Sequence, residues 1–398
     1  MNRSLASLTA VLGFVVALGI AAQPSAPGQS ADGQQIFRFD TFGDEQLWTS
    51  ALKMPEALAT VSPKTALSVG LKVDVEALPP AVVEALKAGK VDLNDPAVTL
   101  QLLSANAVVG VAGRVTSGKL ESVGVTCALC HSTVDNSLTA GVGKRLDGWP
   151  NRDLNVGAIA ALSPVLTEEQ RAVFKSWGPG KYDPRLHAFD GAKLRPLNKS
   201  SLPVVIPPAY GLQGVAFETF TGDGPISYWN NYVAVTQMGG RGNFNDPRIN
   251  LAITQTPDMV ASKLPALLKY QLQLRAPEPP KGSFDPAAAK RGETLFSGGA
   301  RCATCHAPPA FTDVAKGGSK TPFLHDPSET RTNAAYAGRT ATKKYRAAPL
   351  RGVWQHPPYF HDGRAADLAA VVDHYDTALS LKLTAAQKAD LVQYLKSL

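Results

Sequence analysis

Two copies of one pentapeptide decide most of what this chain can become. All four cysteines fall in Cys127-Ala-Leu-Cys130-His131 and Cys302-Ala-Thr-Cys305-His306. Two thiols separated by two residues reach the two vinyl groups of one porphyrin, and a histidine directly after the second thiol is carried beneath the iron. A thioredoxin-type redox pair has no use for that histidine in both copies, and its βαβ context is missing from the flanking sequence. A zinc site would have to gather four ligands from motifs 175 residues apart (302 minus 127) and would leave the paired histidines unexplained. Disulfides, which an exported chain can hold, do not call for matching pentapeptides. The spacing therefore predicts two covalently attached heme c groups. Cys127, Cys130, Cys302 and Cys305 are the thioether positions, and His131 and His306 the proximal iron ligands.

Composition limits the rest. At 44% hydrophobic and 18% charged over 398 residues, the chain is too apolar to be disordered and long enough for two ordinary cores. With 34 Gly and 30 Pro it reads as loop-rich rather than as long bundles or coiled coils. Lys+Arg 40 against Asp+Glu 33 gives +7, or +6 without Arg3. That surplus contains no Lys/Arg block, so no nucleic-acid partner is expected; a mildly basic surface steers acidic proteins instead. Residues 1–22 carry Arg3 and an apolar run from Leu5 to Ala22, closed by Ala21-Ala22 before Gln23-Pro24. This is the layout of a signal peptide cleaved after Ala22, the other reading being an uncleaved anchor. No later segment is apolar for long enough to cross a bilayer. The expectation is a periplasmic protein with no transmembrane segment once mature.

Proline and glycine punctuation at 276–283 (Ala-Pro-Glu-Pro-Pro-Lys-Gly-Ser) marks a linker between a heme portion at 23–275 and another at 284–398. In the second, Asp285-Pro286 opens a helix to about Ser297, and Thr384 with Gln387 is a capping box for a final helix. In the first, Gly43–Met54 is a candidate opening helix. Val108–Val115 and Leu120–Thr126 form a hairpin leading into Cys127. Thr167 with Gln170 starts a helix to about Ser176, and Thr256-Pro257 starts another, kinked at Pro265. The remainder reads as loop, with no internal repeat beyond the heme motifs. A helix with Gly292 and Phe296 before the motif, and a last helix with Tyr394 and Leu395, resemble the class I cytochrome c fold. There the terminal helices cross and a glycine lets their backbones approach. The fold class is thus mainly α: two cytochrome c-like heme domains with loop-rich insertions, the first with a small β-hairpin.

The stretch Ala348-Pro-Leu-Arg-Gly-Val-Trp-Gln-His-Pro-Pro-Tyr-Phe-His-Asp-Gly363 is similar to the C-terminal domain of the bacterial diheme cytochrome c peroxidase/MauG superfamily. The resemblance is strong over the last third of the chain and extends to the two-heme layout. In the peroxidases a methionine past the His-Asp-Gly stretch is the distal ligand of the second heme; in MauG a tyrosine replaces it. No methionine follows Met259 here, and Tyr375 stands at that position. The resemblance therefore implies His306/Tyr375 ligation, a hard anionic donor that lowers the potential. The competing reading is that Tyr375 is an ordinary packed aromatic. His356 and His361 are alternative ligands, and His374 faces elsewhere on the same helix.

For the first heme the family pattern is less complete. Its reactive heme has an open face and a glutamate acid-base catalyst. The corresponding stretch, Tyr228 to Arg241, has none, and no Glu occurs between Glu218 and Glu278. Moving a proton between peroxide oxygens needs such a group. Met238, beside two glycines, is either an axial ligand closing this heme or a gap-filler near it. His187 is a weaker candidate. The family also bridges its hemes with an aromatic, for which Trp149, Trp177, Trp229 and Trp354 are available. These features lead first to an electron carrier between periplasmic redox proteins. The second reading is a hydrogen-peroxide-dependent oxidoreductase, and the third a redox sensor or docking subunit. No catalytic residue is assigned.

Overall fold

Short polar side chains and prolines open most of the helices. A side-chain oxygen at the N-cap accepts from a backbone N–H the first turn leaves unpaired, and proline at the first position has no N–H to lose. Asp285 accepts from Ala287 and Ala288, Asp367 from Ala370, Asp95 from Ala97 and Asp32 from Gln34. Thr167 and Thr384 form the two capping boxes expected of them. The computed structural model describes residues 32–190, 193–197, 200–318 and 320–398; the expected signal peptide lies outside these.

The architecture is mainly α, with six two-stranded sheets among the described residues. In chain order, α1 is Gly33–Phe39. The hairpin strands are β1, Val111–Thr116, and β2, Lys119–Val125, paired antiparallel through the turn at Ser117-Gly118. A short helix α2, Ala128–His131, carries the first heme motif. Then come α3 (Glu168–Lys175), α4 (Ile226–Thr236) and α5 (Leu264–Gln271). The second motif follows α6, Pro286–Ser297, and the chain closes with α7, Leu368–Leu379, and α8, Ala385–Lys396.

The same helix crossing is built twice. On α6, a Cβ at Gly292 would lie 2.1 Å from the Asp390 carbonyl oxygen and 2.9 Å from Tyr394 Cβ. On α1, a Cβ at Gly33 would lie 2.1 Å from the Ala266 carbonyl oxygen and 2.6 Å from Tyr270 Cβ. Four residues on from each glycine stands a buried phenylalanine against the partner tyrosine. Phe296 and Tyr394 have ring centroids 5.1 Å apart, Phe37 and Tyr270 5.6 Å. Gly33-Gln-Gln-Ile-Phe37 matches Gly292-Glu-Thr-Leu-Phe296, which corrects the expectation of no repeat beyond the heme motifs. The match is confined to spaced contact positions, too few to stand out along the chain.

Other expectations are also corrected. The Gly43–Met54 helix is a π-type segment at Gln46–Ala51, preceded by α1. The helix expected from Thr256-Pro257 begins at Leu264, with Pro265 in its first turn, where a missing N–H costs no helical hydrogen bond. Part of the supposed loop is helical: Pro63–Ser68, Pro80–Lys87, Pro96–Ser104 and α4. Proline at the first helical position was the overlooked signal in three of these.

One large apolar core gathers residues from Ile36 to Leu267, and a second those from Phe296 to Leu395. Between them runs the stretch 204–223. Its Val204 packs on Tyr336, Ala337 and Tyr345, and its Val215 and Phe217 on Val314. Ionic contacts follow the same seam: Arg346 with Glu218 at 3.2 Å and Arg339 with Asp183 at 3.0 Å. Asp223, paired with Arg185, also accepts from the backbone of Ala341 and Thr342.

Candidate heme sites

After α6 the chain turns through Arg301, at φ 56°, into a single 3-10 turn, Cys302–Thr304. The His306 backbone N–H donates to the Cys302 carbonyl at 2.9 Å, so motif and histidine fold as one loop. His306 Nδ1 lies 3.0 Å from the Phe311 carbonyl oxygen, which can only accept. The proton is therefore on Nδ1, and Nε2 is left with a lone pair. Burial favours this neutral form by pushing the pKa down.

Cys302, Cys305, His306 and Tyr375 line one cavity of about 600 Å³. That is within the ~300–1,000 Å³ range of cofactor-sized sites. Its walls include Phe296, Leu350, Val372, Leu391 and Leu395, from α6, α7, α8 and the loop before α7. An apolar box with two thiols and an imidazole at one edge fits a porphyrin attached through Cys302 and Cys305. Tyr375 stands on α7, which Asp367 caps. Its hydroxyl has no hydrogen-bond partner among the described residues, and burial beside both thiols pushes its pKa up to about 12. His374 turns its Nε2 to the Thr330 carbonyl, 2.9 Å away, and does not line the cavity. His361 lines it and stacks against Tyr336 and Tyr345, with Nε2 3.2 Å from the Tyr345 hydroxyl. His356 lines it too, next to Arg152.

At the first motif, β2 delivers Cys127 to the start of α2, and the His131 N–H donates to the Cys127 carbonyl at 3.2 Å. His131 Nδ1 lies 3.1 Å from the Pro207 carbonyl oxygen, the same tautomer-setting contact as at His306. Cys127 and Cys130 pack against the large core, and burial pushes both thiols up to about 12. None of the four cysteines is paired in a disulfide. Gly110 passes so close that a Cβ would meet the Leu129 backbone at 2.1 Å.

Met238 follows α4, is 6% exposed, and belongs to the core against which Cys127 and Cys130 pack; its carbonyl accepts from Trp48 Nε1 at 2.8 Å. The neighbouring Gln237 has its amide fully engaged. Oε1 accepts from the Tyr182 hydroxyl, while Nε2 donates to the Pro184 carbonyl at 3.0 Å and to Thr236 Oγ1 at 2.7 Å. His187 Nε2 is 2.8 Å from the Tyr232 hydroxyl. Glu218 pairs through Oε2 with Arg346 in the seam, while its buried Oε1 has no hydrogen-bond partner among the described residues.

Of the four candidate tryptophans, two meet across the seam. The Trp149 and Trp354 rings are edge-on, 87° between planes, with centroids 6.1 Å apart. Trp177 and Trp229 belong to the large core instead. Trp149 sits in the segment that the first motif holds, Gly148 donating to the His131 carbonyl and Asn151 to the Cys130 carbonyl. Trp354 belongs to the family-like stretch, and its Nε1 donates to the Pro277 carbonyl at 3.2 Å. Arg152 is a site residue that sequence reasoning missed. An arginine 150 residues before Cys302 (302 minus 152) gives no local sign of reaching its cavity.

The chain is similar to two curated proteins over part of its length. It is 35% identical over 96 residues to the methylamine utilization protein MauG of Methylorubrum extorquens, covering 22% of this chain and 25% of that one. It is 32% identical over 157 residues to the cytochrome-c peroxidase IdrP1 of Pseudomonas sp. strain SCT, covering 30% of this chain and 41% of that one. The matches thus span well under half of either relative. A solved MauG-like protein associated with microbial copper homeostasis aligns over 38% of this chain and 55% of its own, at 23% identity and TM-score 0.27. No protein-family profile matches the chain.

Proposed function

We propose that the chain is a member of the diheme cytochrome c peroxidase/MauG-like family and an exported carrier of single electrons between periplasmic redox proteins. It would hold two covalent heme c groups in two cytochrome c-like domains, 23–275 and 284–398. Heme c supplies one-electron exchange between ferric and ferrous iron. The protein's part is to hold each porphyrin by a Cys pair, to present neutral imidazole Nε2 from His131 and His306, and to keep water from the apolar walls. Tyr375 is the proposed distal ligand at the second motif and Met238 at the first.

The observation that carries the carrier reading is the state of the stretch 228–241. It holds no carboxylate, and its one amide next to Met238, Gln237, has oxygen and nitrogen both committed to protein partners. Nothing there is placed to shuttle a proton between peroxide oxygens. A second reading, a hydrogen-peroxide-dependent oxidoreductase, is favoured by the name of one curated relative, a cytochrome-c peroxidase, and by Tyr375 standing in the second cavity.

Spectroscopy on the purified, matured protein separates the two. The carrier reading expects two six-coordinate low-spin hemes in both redox states and no peroxide turnover. A high-spin ferric signal from the heme at Cys127 and Cys130 that shifts with cyanide or peroxide would overturn it in favour of the oxidoreductase.

A further inference from the structure

Resting on Cys302, Cys305 and His306 as a heme site, we propose that Arg152 and His356 form a carboxylate-binding corner. It receives a propionate of the porphyrin attached there.

Both residues line the cavity that holds Cys302 and Cys305. Among the described residues, Arg152 Nε and Nη1 and His356 Nε2 are buried with no hydrogen-bond partner. The one contact between the two side chains is Nη2 to His356 Nδ1, a long 3.4 Å. Among the described residues no carboxylate pairs with Arg152, whereas the buried Arg145 and Arg185 pair with Asp74 and Asp223. Guanidinium N–H groups buried without a counter-charge carry an uncompensated desolvation penalty. Burial pulls the Arg152 pKa down to about 10, the direction expected of a cation lacking its counter-charge.

The surrounding phenols do not supply that charge. Tyr210 donates to the Gly352 carbonyl at 2.9 Å and Tyr359 to the Val353 carbonyl at 2.9 Å. What the corner offers is a planar fork of N–H donors beside an imidazole nitrogen. That is the donor set for a carboxylate held by two parallel hydrogen bonds.

The placement also couples the two motifs. Asn151, one residue before Arg152, donates to the Cys130 carbonyl at 2.9 Å. The segment 148–152 is thus bonded to the first motif at one end and delivers a cation into the second motif's cavity at the other.

The test uses the full chain with both hemes attached, verified by mass. A wild-type protein bearing no porphyrin at Cys302 and Cys305 would sink the underlying heme reading and is seen before any variant is made. In Arg152→Leu, the resonance Raman propionate bending band of the second heme should shift and its midpoint potential fall. The lost cation no longer stabilises the added electron. The first heme should keep its potential. Arg152→Lys should restore most of the potential but not the band, since an ammonium keeps the charge and loses the fork. His356→Phe should shift the band alone, and with the lysine variant it carries the test if the leucine variant fails to mature.

A wild-type band in both Arg152→Lys and His356→Phe overturns the proposal. So does a shift confined to the first heme, whose propionate would then be the occupant. A wild-type band that moves with added phosphate overturns it as well, because the corner would then be holding a free anion.

Discussion

Gly292 and the carbonyl of Asp390 approach so closely that a Cβ would stand 2.1 Å from the oxygen, and Gly33 repeats this against Ala266 at the same distance. No real Cβ contact is that short, so each helix pair must separate to admit a methyl. Gly292→Ala and Gly33→Ala should each destabilise the protein by about 1–3 kcal/mol, the usual cost of overpacking. Chemical denaturation of the holoprotein reads this, and an unchanged midpoint would show that the crossings are looser than the backbone positions imply.

The Trp149–Trp354 contact spans the seam between the two cores. A double-mutant cycle with Trp149→Leu and Trp354→Leu should give a coupling of about 0.5–1.5 kcal/mol, as for other edge-on aromatic pairs. If the pair bridges the hemes, either single variant will also slow electron equilibration between them after flash reduction. Wild-type equilibration rates in both variants would remove the bridge while leaving the packing intact.

Tyr375→Phe deletes the one cavity-lining hydroxyl on α7 and little else. If Tyr375 is the proposed phenolate ligand, the ferric spectrum of the heme proposed at Cys302 and Cys305 should change and its potential rise, because the hard anionic donor favours ferric iron. An unaltered spectrum would return Tyr375 to the status of a packed aromatic.

Arg346 and Glu218 form a buried pair across the seam, 3.2 Å apart. Burial pushes the Glu218 pKa up and Arg346 works against it. Arg346→Met at pH 7 should cost about 3–5 kcal/mol, because it strands a buried charge. Adding Glu218→Gln should recover part of that loss. Thermal or denaturant unfolding of the two variants side by side tests this, and equal stability of both would mean that the charge is not what destabilises.

Asp246 provides an acid-limb prediction. Burial works to raise its pKa, but hydrogen bonds from Arg248 and Tyr228 outweigh that and hold the carboxyl below its usual range. A folded pKa below the unfolded value means stability that is present above the unfolded pKa and lost as pH falls through the folded one. Asp246→Asn should therefore cost about 1.5–3 kcal/mol at neutral pH. It should also lessen the loss of stability below about pH 4. A parallel acid limb in wild type and variant would contradict the assignment.

What could be read from the chain was what depends on neighbours in sequence. The pentapeptides, the N-caps at Asp285, Thr167 and Thr384, and the hairpin into Cys127 are local, because thioether spacing, capping and turn geometry involve residues a few positions apart. The position of Tyr375 on a helix opened by Asp367 was legible for the same reason. The second crossing at Gly33 was not. Its few matching positions carry meaning only once α1 and α5, more than two hundred residues apart, are seen to touch.

Tertiary structure alone decided which of four tryptophans meet, that Gln237 is saturated, and that Arg152 enters the cavity of a motif 150 residues further on (302 minus 152). The physical reason is the same in each case. Covalent and capping chemistry acts within a turn or two of its residue. Desolvation, ring contact and charge pairing depend on what the folded chain brings alongside, and nothing next to Arg152 in sequence records that it is buried without a counter-charge.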